Sequence, residues 1–253
     1  MVKAGHIQVP VHHHPPSTTS FTLDTSTPAT PTLALGAGVA NGATTAEATA
    51  TTGAVTVTAE AGATTVVTFT NGAATITKTV TGNGSTPVPV VLTSAELTTL
   101  GDGTISVSAT ATDVAGNASS AGTSSFTLDT AAPTVPTLAL GSGVSNGATT
   151  TEATAGTGVV TVTAEAGATT VVTFTNGSQS VSKTVTGNGS TPVAVVLTTA
   201  ELSTLGDGTI SVSATATDAA GNASGAGTTS FTLDTAAPTA PTLALGTGVS
   251  NGA

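Results

Sequence analysis

Over much of the chain, apolar and polar residues change places at every step. Val55, Val57 and Ala59 fall on one side of an extended segment and Thr56 and Thr58 on the other. Ile105, Val107, Ala109 and Ala111 alternate in the same way with Thr110 and Thr112. A period of two is what a strand with one buried face requires, because successive side chains leave a pleated backbone on opposite sides. Between residues 26 and 130 the pattern predicts about seven short strands, punctuated by Gly, Asn, Asp and Pro. Strands of this number and spacing predict an all-β sandwich. Asn71-Gly72, between the third and fourth strands, predicts a two-residue hairpin with positive φ at both positions. Thr93 followed three residues later by Glu96 has the form of a capping box. It predicts a single helical turn over TSAELTTL, stopped by Gly101, as a crossover between sheets. Lys78 shares its side of a strand with Ile76 and Val80, as an inward charge guarding a sheet edge does. Phe69, Phe126, Phe174 and Phe231 are the bulky plugs expected in the core.

The pattern then recurs. FTLDT stands at Phe21, Phe126 and Phe231, a period of 105 residues. Residues 26–130 and 131–235 align without a gap at about four positions in five, the mark of a tandem array. The expected organisation is a non-repeat leader at 1–16, the end of a preceding unit at 17–25, complete units at 26–130 and 131–235, and the start of a third at 236–253. Each complete unit has the length of one ordinary domain. The leader holds every histidine, His6, His12, His13 and His14, and is read as a non-native leader outside the fold rather than as a metal site.

Composition narrows the function classes. The repeats contain no His, and the chain has no Cys, Tyr or Trp, so a Ser or Thr nucleophile would have no imidazole base. An enzyme is not expected. Three Lys, no Arg and thirteen acids give a net charge of −10, which repels nucleic acid and anionic lipid. No apolar run is long enough to cross a bilayer, so membrane insertion is not expected, and an export signal is expected outside this sequence. The absence of Cys also rules out disulfides and thiolate metal sites.

The acids are few and unevenly placed. If the strands run alternately up and down, Glu60 in the second-to-third loop and Asp113 and Asn117 in the sixth-to-seventh loop share one pole. Asp129 lies at the other, in the linker LDTAAPTVP. End-to-end stacking would then bring Asp24 to Glu60, Asp113 and Asn117, and Asp129 to Glu165, Asp218 and Asn222. Oxygen-rich groups without basic partners suit Ca2+, which takes six to eight oxygen ligands in irregular geometry. The competing reading is that these residues sit solvated in turns, which Asp and Asn favour in any case. A second acidic group, Glu47, Glu96 and Asp102 with copies Glu152, Glu201 and Asp207, falls near the opposite pole; as a metal site it is the weaker candidate, since Glu96 already has a capping role and Asp102 sits in a Gly-Asp-Gly turn.

TAEAG, TATDxAGN and SFTLDTAAPTxP resemble the bacterial Ig-like tandem repeats of large secreted adhesins, including RTX and biofilm-associated types. The resemblance covers both complete units and their linkers. It implies tandem Ig-like β-sandwich domains in an extended end-to-end array, with calcium near the junctions. It also implies a place on the bacterial cell surface, neighbouring repeats as partners, and a host or surface ligand bound by other domains. Its calcium residues would fall on Asp24, Glu60 and Asp113, and on Asp129, Glu165 and Asp218. NGATT(A/T)E replaces the acidic pair found early in many such repeats. The alternative is a direct binding module whose outward Thr rows grip glycan, ice or a protein.

Overall fold

The computed structural model describes residues 20–244, 246 and 247. The expected leader, residues 17–19 of the first fragment, residue 245 and residues 248–253 lie outside this range. Each unit has seven strands in two antiparallel sheets. In the first, β1 (Thr32–Leu35), β2 (Val55–Thr58) and β5 (Val88–Val90) form one sheet in the order β1-β2-β5. The other sheet has the order β4-β3-β6-β7, from β3 (Thr64–Asn71), β4 (Ala74–Thr81), β6 (Gly103–Thr112) and β7 (Gly122–Leu128). The second unit repeats this as β8 (Thr137–Leu140) to β14 (Gly227–Leu233), with β9 (Val160–Thr163), β10 (Thr169–Asn176) and β13 (Gly208–Thr217) in the roles of β2, β3 and β6.

Alternation translates directly into burial. Val55, Val57, Ile105, Val107, Ala109 and Ala111 are all at most 1% exposed, while their Thr and Ser neighbours face outward. Phe69 and Phe174 are fully buried, and Phe231 meets Phe174 edge to face with ring centroids 6.4 Å apart. Phe69, Phe126, Phe174 and Phe231 are the bulkiest side chains of the two cores. Phe69→Ala would cost about 3–5 kcal/mol and threaten the whole unit.

The helix α2 (Ser94–Leu100) carries the chain from one sheet to the other and ends at Gly101, which has φ 68°. It makes about two turns rather than the single turn expected. Its capping box is complete: Thr93 Oγ1 accepts from the Glu96 N–H, and Glu96 accepts from the Thr93 N–H. Glu96 also pairs with Lys78 Nζ at 2.7 Å. Lys78 sits on β4, an edge strand, on the same side as Ile76 and Val80, and the helix supplies its counter-charge. Burial disfavours the Glu96 anion, but Lys78 and the Thr93 cap outweigh it and hold its carboxyl below the ordinary range.

The hairpin corrects the sequence reading by one residue. Asn71 pairs with Ala74, so the turn residues are Gly72 and Ala73, and among the described residues none other than glycine has positive φ. Glycine at the first turn position, with φ 57°, is the type II′ requirement rather than the type I′ one. Asn71 belongs to the strand because its side chain is committed elsewhere. Its Nδ2 donates to the carbonyls of Leu100, Gly101 and Asp102 at 3.0, 3.1 and 3.2 Å, closing the open end of α2. Asn176 does the same in the second unit.

Candidate functional site

Strand register fixes the poles. Thr64 opposes Thr112, so the β2–β3 loop bearing Glu60 and the β6–β7 loop bearing Asp113 lie at the same end of the sandwich. Gly103 opposes Leu128, which puts the linker from Asp129 at the other end.

The β6–β7 loop is built around its aspartate. The Asp113 carboxylate accepts from the Asn117 backbone N–H and from Asn117 Nδ2, both at 2.8 Å. The Asn117 side chain, with backbone donors behind it, holds the Asp113 carboxyl below the ordinary range. In the β13–β14 loop, burial opposes ionisation of Asp218, and donors from Asn222, Gly221 and Ala220 overcome it in the same direction.

The asparagine amide also reaches across the junction. Asn117 Nδ2 donates to the Asp24 carbonyl at 3.2 Å, and Asn222 Nδ2 donates to the Asp129 carbonyl at 2.9 Å. Asp129 is thereby held from both sides, since its own N–H donates to the Ala43 carbonyl of the first unit at 3.0 Å. Its carboxylate turns the linker by accepting from the Ala131 N–H, as Asp24 does from Ser26. The sequence singled out these residues but not the backbone carbonyl as the contact.

Of the expected groups, the structure brings together Asp24 with Asp113 and Asn117, and Asp129 with Asp218 and Asn222. Glu60 and Glu165 are exposed in their loops, and among the described residues no three His, Cys, Asp or Glu side chains converge at metal-binding distance. The donors at each junction are hard oxygens: a linker carbonyl, an Asp carboxylate and an Asn side chain. Turning the Asn amide by half a rotation would bring its oxygen to the place of Nδ2 and leave only oxygens facing one another. Such a set fits part of a calcium shell, with water left to complete it.

The second acidic group is dispersed. Glu47 caps α1 (Thr45–Ala48) through Thr44, Glu96 serves α2 and Lys78, and Asp102 accepts from the backbone and hydroxyl of Thr130 at 2.9 Å. In the second unit Thr149 holds Glu152 below its ordinary pKa in the same capping arrangement. Each of these acids has its own local donor.

The fold is that of tandem immunoglobulin-like β-sandwiches. No protein-family model matches the chain, and no curated protein does. Solved structures similar to it include a tetra-tandem repeat from the extending region of a large adhesion protein. That match has 25% identity and a TM-score of 0.34, over 84% of this chain and 50% of that one. A bacterial ice-binding adhesin of 1.5 MDa, solved for its host cell surface retention, matches at 24% identity and TM-score 0.35, over 72% of this chain and 58% of the other. Three domains of chicken CNTN1 match at 12% identity and TM-score 0.38, over 71% and 62%. The chain thus spans half to three-fifths of these structures, and superpositions at this level fix no function.

Proposed function

We propose that the chain is a stalk segment of a bacterial cell-surface adhesin, stiffened by calcium at its domain junctions and lacking catalysis of its own. The observation that carries this is the Asp129 junction. One residue is hydrogen-bonded to the first unit through its N–H and to the second through its carbonyl, beside the Asp218 carboxylate. A cation shared by these oxygens would add a second tie across a linker that already contains Pro133 and Pro136. Because it would bind only the docked arrangement, it would also stabilise that arrangement by mass action. The repeated unit suits such work: each copy adds length, and no copy carries an imidazole or thiol.

Small-angle scattering and thermal melts in calcium and in chelator test the reading. The expected result is an elongated particle that bends more and melts lower on chelation. Identical curves in the two buffers would remove calcium from the proposal. Specific binding of glycan or ice by this two-unit chain would replace the stalk with a direct binding module.

A further inference from the structure

The same sequence, AGN, has different surroundings in the two units. Ala115, in the β6–β7 loop, is exposed, whereas its counterpart Ala220 is only 4% exposed. What covers Ala220 is the first unit. A Cβ built on Gly42 would lie 3.1 Å from the Ala220 Cβ, a Cβ on Gly221 would lie 3.8 Å from Thr44 Cγ2, and Asn41 Nδ2 donates to the Ala219 carbonyl at 3.5 Å. Ala220 is a small knob seated in a socket formed by the turn around Gly42 and the start of α1.

The second unit has that socket too, and among the described residues nothing fills it. Asn146, Gly147, Thr149 and Asp234 line a depression in the positions of Asn41, Gly42, Thr44 and Asp129. A Cβ on Gly147 would meet nothing within 4 Å. The chain continues past this pole with a linker in which 236–253 repeats 131–148 almost unchanged. We propose that this socket is the docking site for a following repeat, entered by the Ala of that repeat's TDxAGN loop. Direct protein contact then sets the angle at each junction, whether or not a cation adds a second tie. The proposal rests on the end-to-end arrangement of the array but not on calcium.

Gly42 and Gly147 supply a matched test, because their φ values of 115° and 111° make backbone strain common to both. Gly42→Ala and Gly147→Ala are compared in this chain and in one extended by a complete third repeat, all in chelator. Spin-label pairs across each junction report the inter-unit distance, and melts confirm that each unit is folded. In the present chain, Gly42→Ala should lose the narrow distance distribution and Gly147→Ala should retain it. In the extended chain, Gly147→Ala should lose it at the new junction. Equal behaviour of the two variants in the present chain, or an unperturbed new junction in the extended one, overturns the proposal. Because every sample is in chelator, these outcomes leave the calcium reading untouched, and that reading stands or falls on the separate melts with and without calcium.

Discussion

Replacing Asn222 by Asp exchanges one NH2 group for an oxygen at a point where the amide now serves two oxygens. Its Nδ2 lies 2.9 Å from the Asp129 carbonyl and 3.0 Å from Asp218 Oδ2. Without a cation the variant loses both hydrogen bonds and sets two carboxylates face to face. A hydrogen bond to a charged group contributes about 1.5–3 kcal/mol, and like charges a few ångströms apart in water repel by about 1 kcal/mol. Asp218 is only half-buried, so solvent screens both effects, and a net loss of about 2 kcal/mol is expected. For a domain of this size that lowers the melting temperature of the second unit by roughly 8–16 °C. A divalent ion reverses the sign, because the new oxygen becomes a ligand. An ion at a hundred times its dissociation constant stabilises the docked form by about 2.7 kcal/mol. Thermal melts of Asn222→Asp and the parent, each in chelator and in calcium, should show a loss in chelator that calcium restores. An equal loss in both buffers would refute the cation. No loss in chelator would refute the claim that the amide holds the loop to the linker.

The Thr65 and Thr170 hydroxyls are buried without a hydrogen-bond partner among the described residues. Thr65→Val and Thr170→Val should therefore stabilise each unit by about 1 kcal/mol, read as a higher urea midpoint; a lower midpoint would show that the hydroxyl has a partner. Asn71→Ala should cost about 1–3 kcal/mol, because three carbonyls lose their shared donor. Asn71→Asp should cost more, and parity between the two variants would sink that account. Asp113, Asp218, Glu96 and Glu201 all have folded pKa values below ordinary, so their contribution is complete above the usual carboxylate range. It should be lost as pH falls below the ordinary carboxylate range and through the lowered folded values. Melts that stay flat across that window would contradict these shifts.

Much of this was legible in one dimension. Seven strands, the α2 capping box and the inward Lys78 follow from alternation and spacing. Thr44 and Glu47 carry the same capping signature as Thr93 and Glu96, and the structure forms that box too. The turn at Gly72 was placed one residue early because an Asn-Gly pair signals a turn without fixing its register. What fixes it is Asn71 reaching carbonyls about thirty residues further along the chain. At the junction, the sequence named Asp129, Asp218 and Asn222, but a backbone carbonyl leaves no trace in side-chain chemistry.

The sequence by itself determined the sandwich, its repetition and the pole at which each acid lies, because periodicity and strand direction are properties of the chain read in order. The tertiary structure alone decided how one unit meets the next. Ala115 and Ala220 sit in the same AGN, and no local rule separates them. Ala220 is covered because Gly42 of the first unit is laid against it. Docking joins residues 178 apart, as in the bond from Asn41 to Ala219, and such a contact exists only once both units have folded.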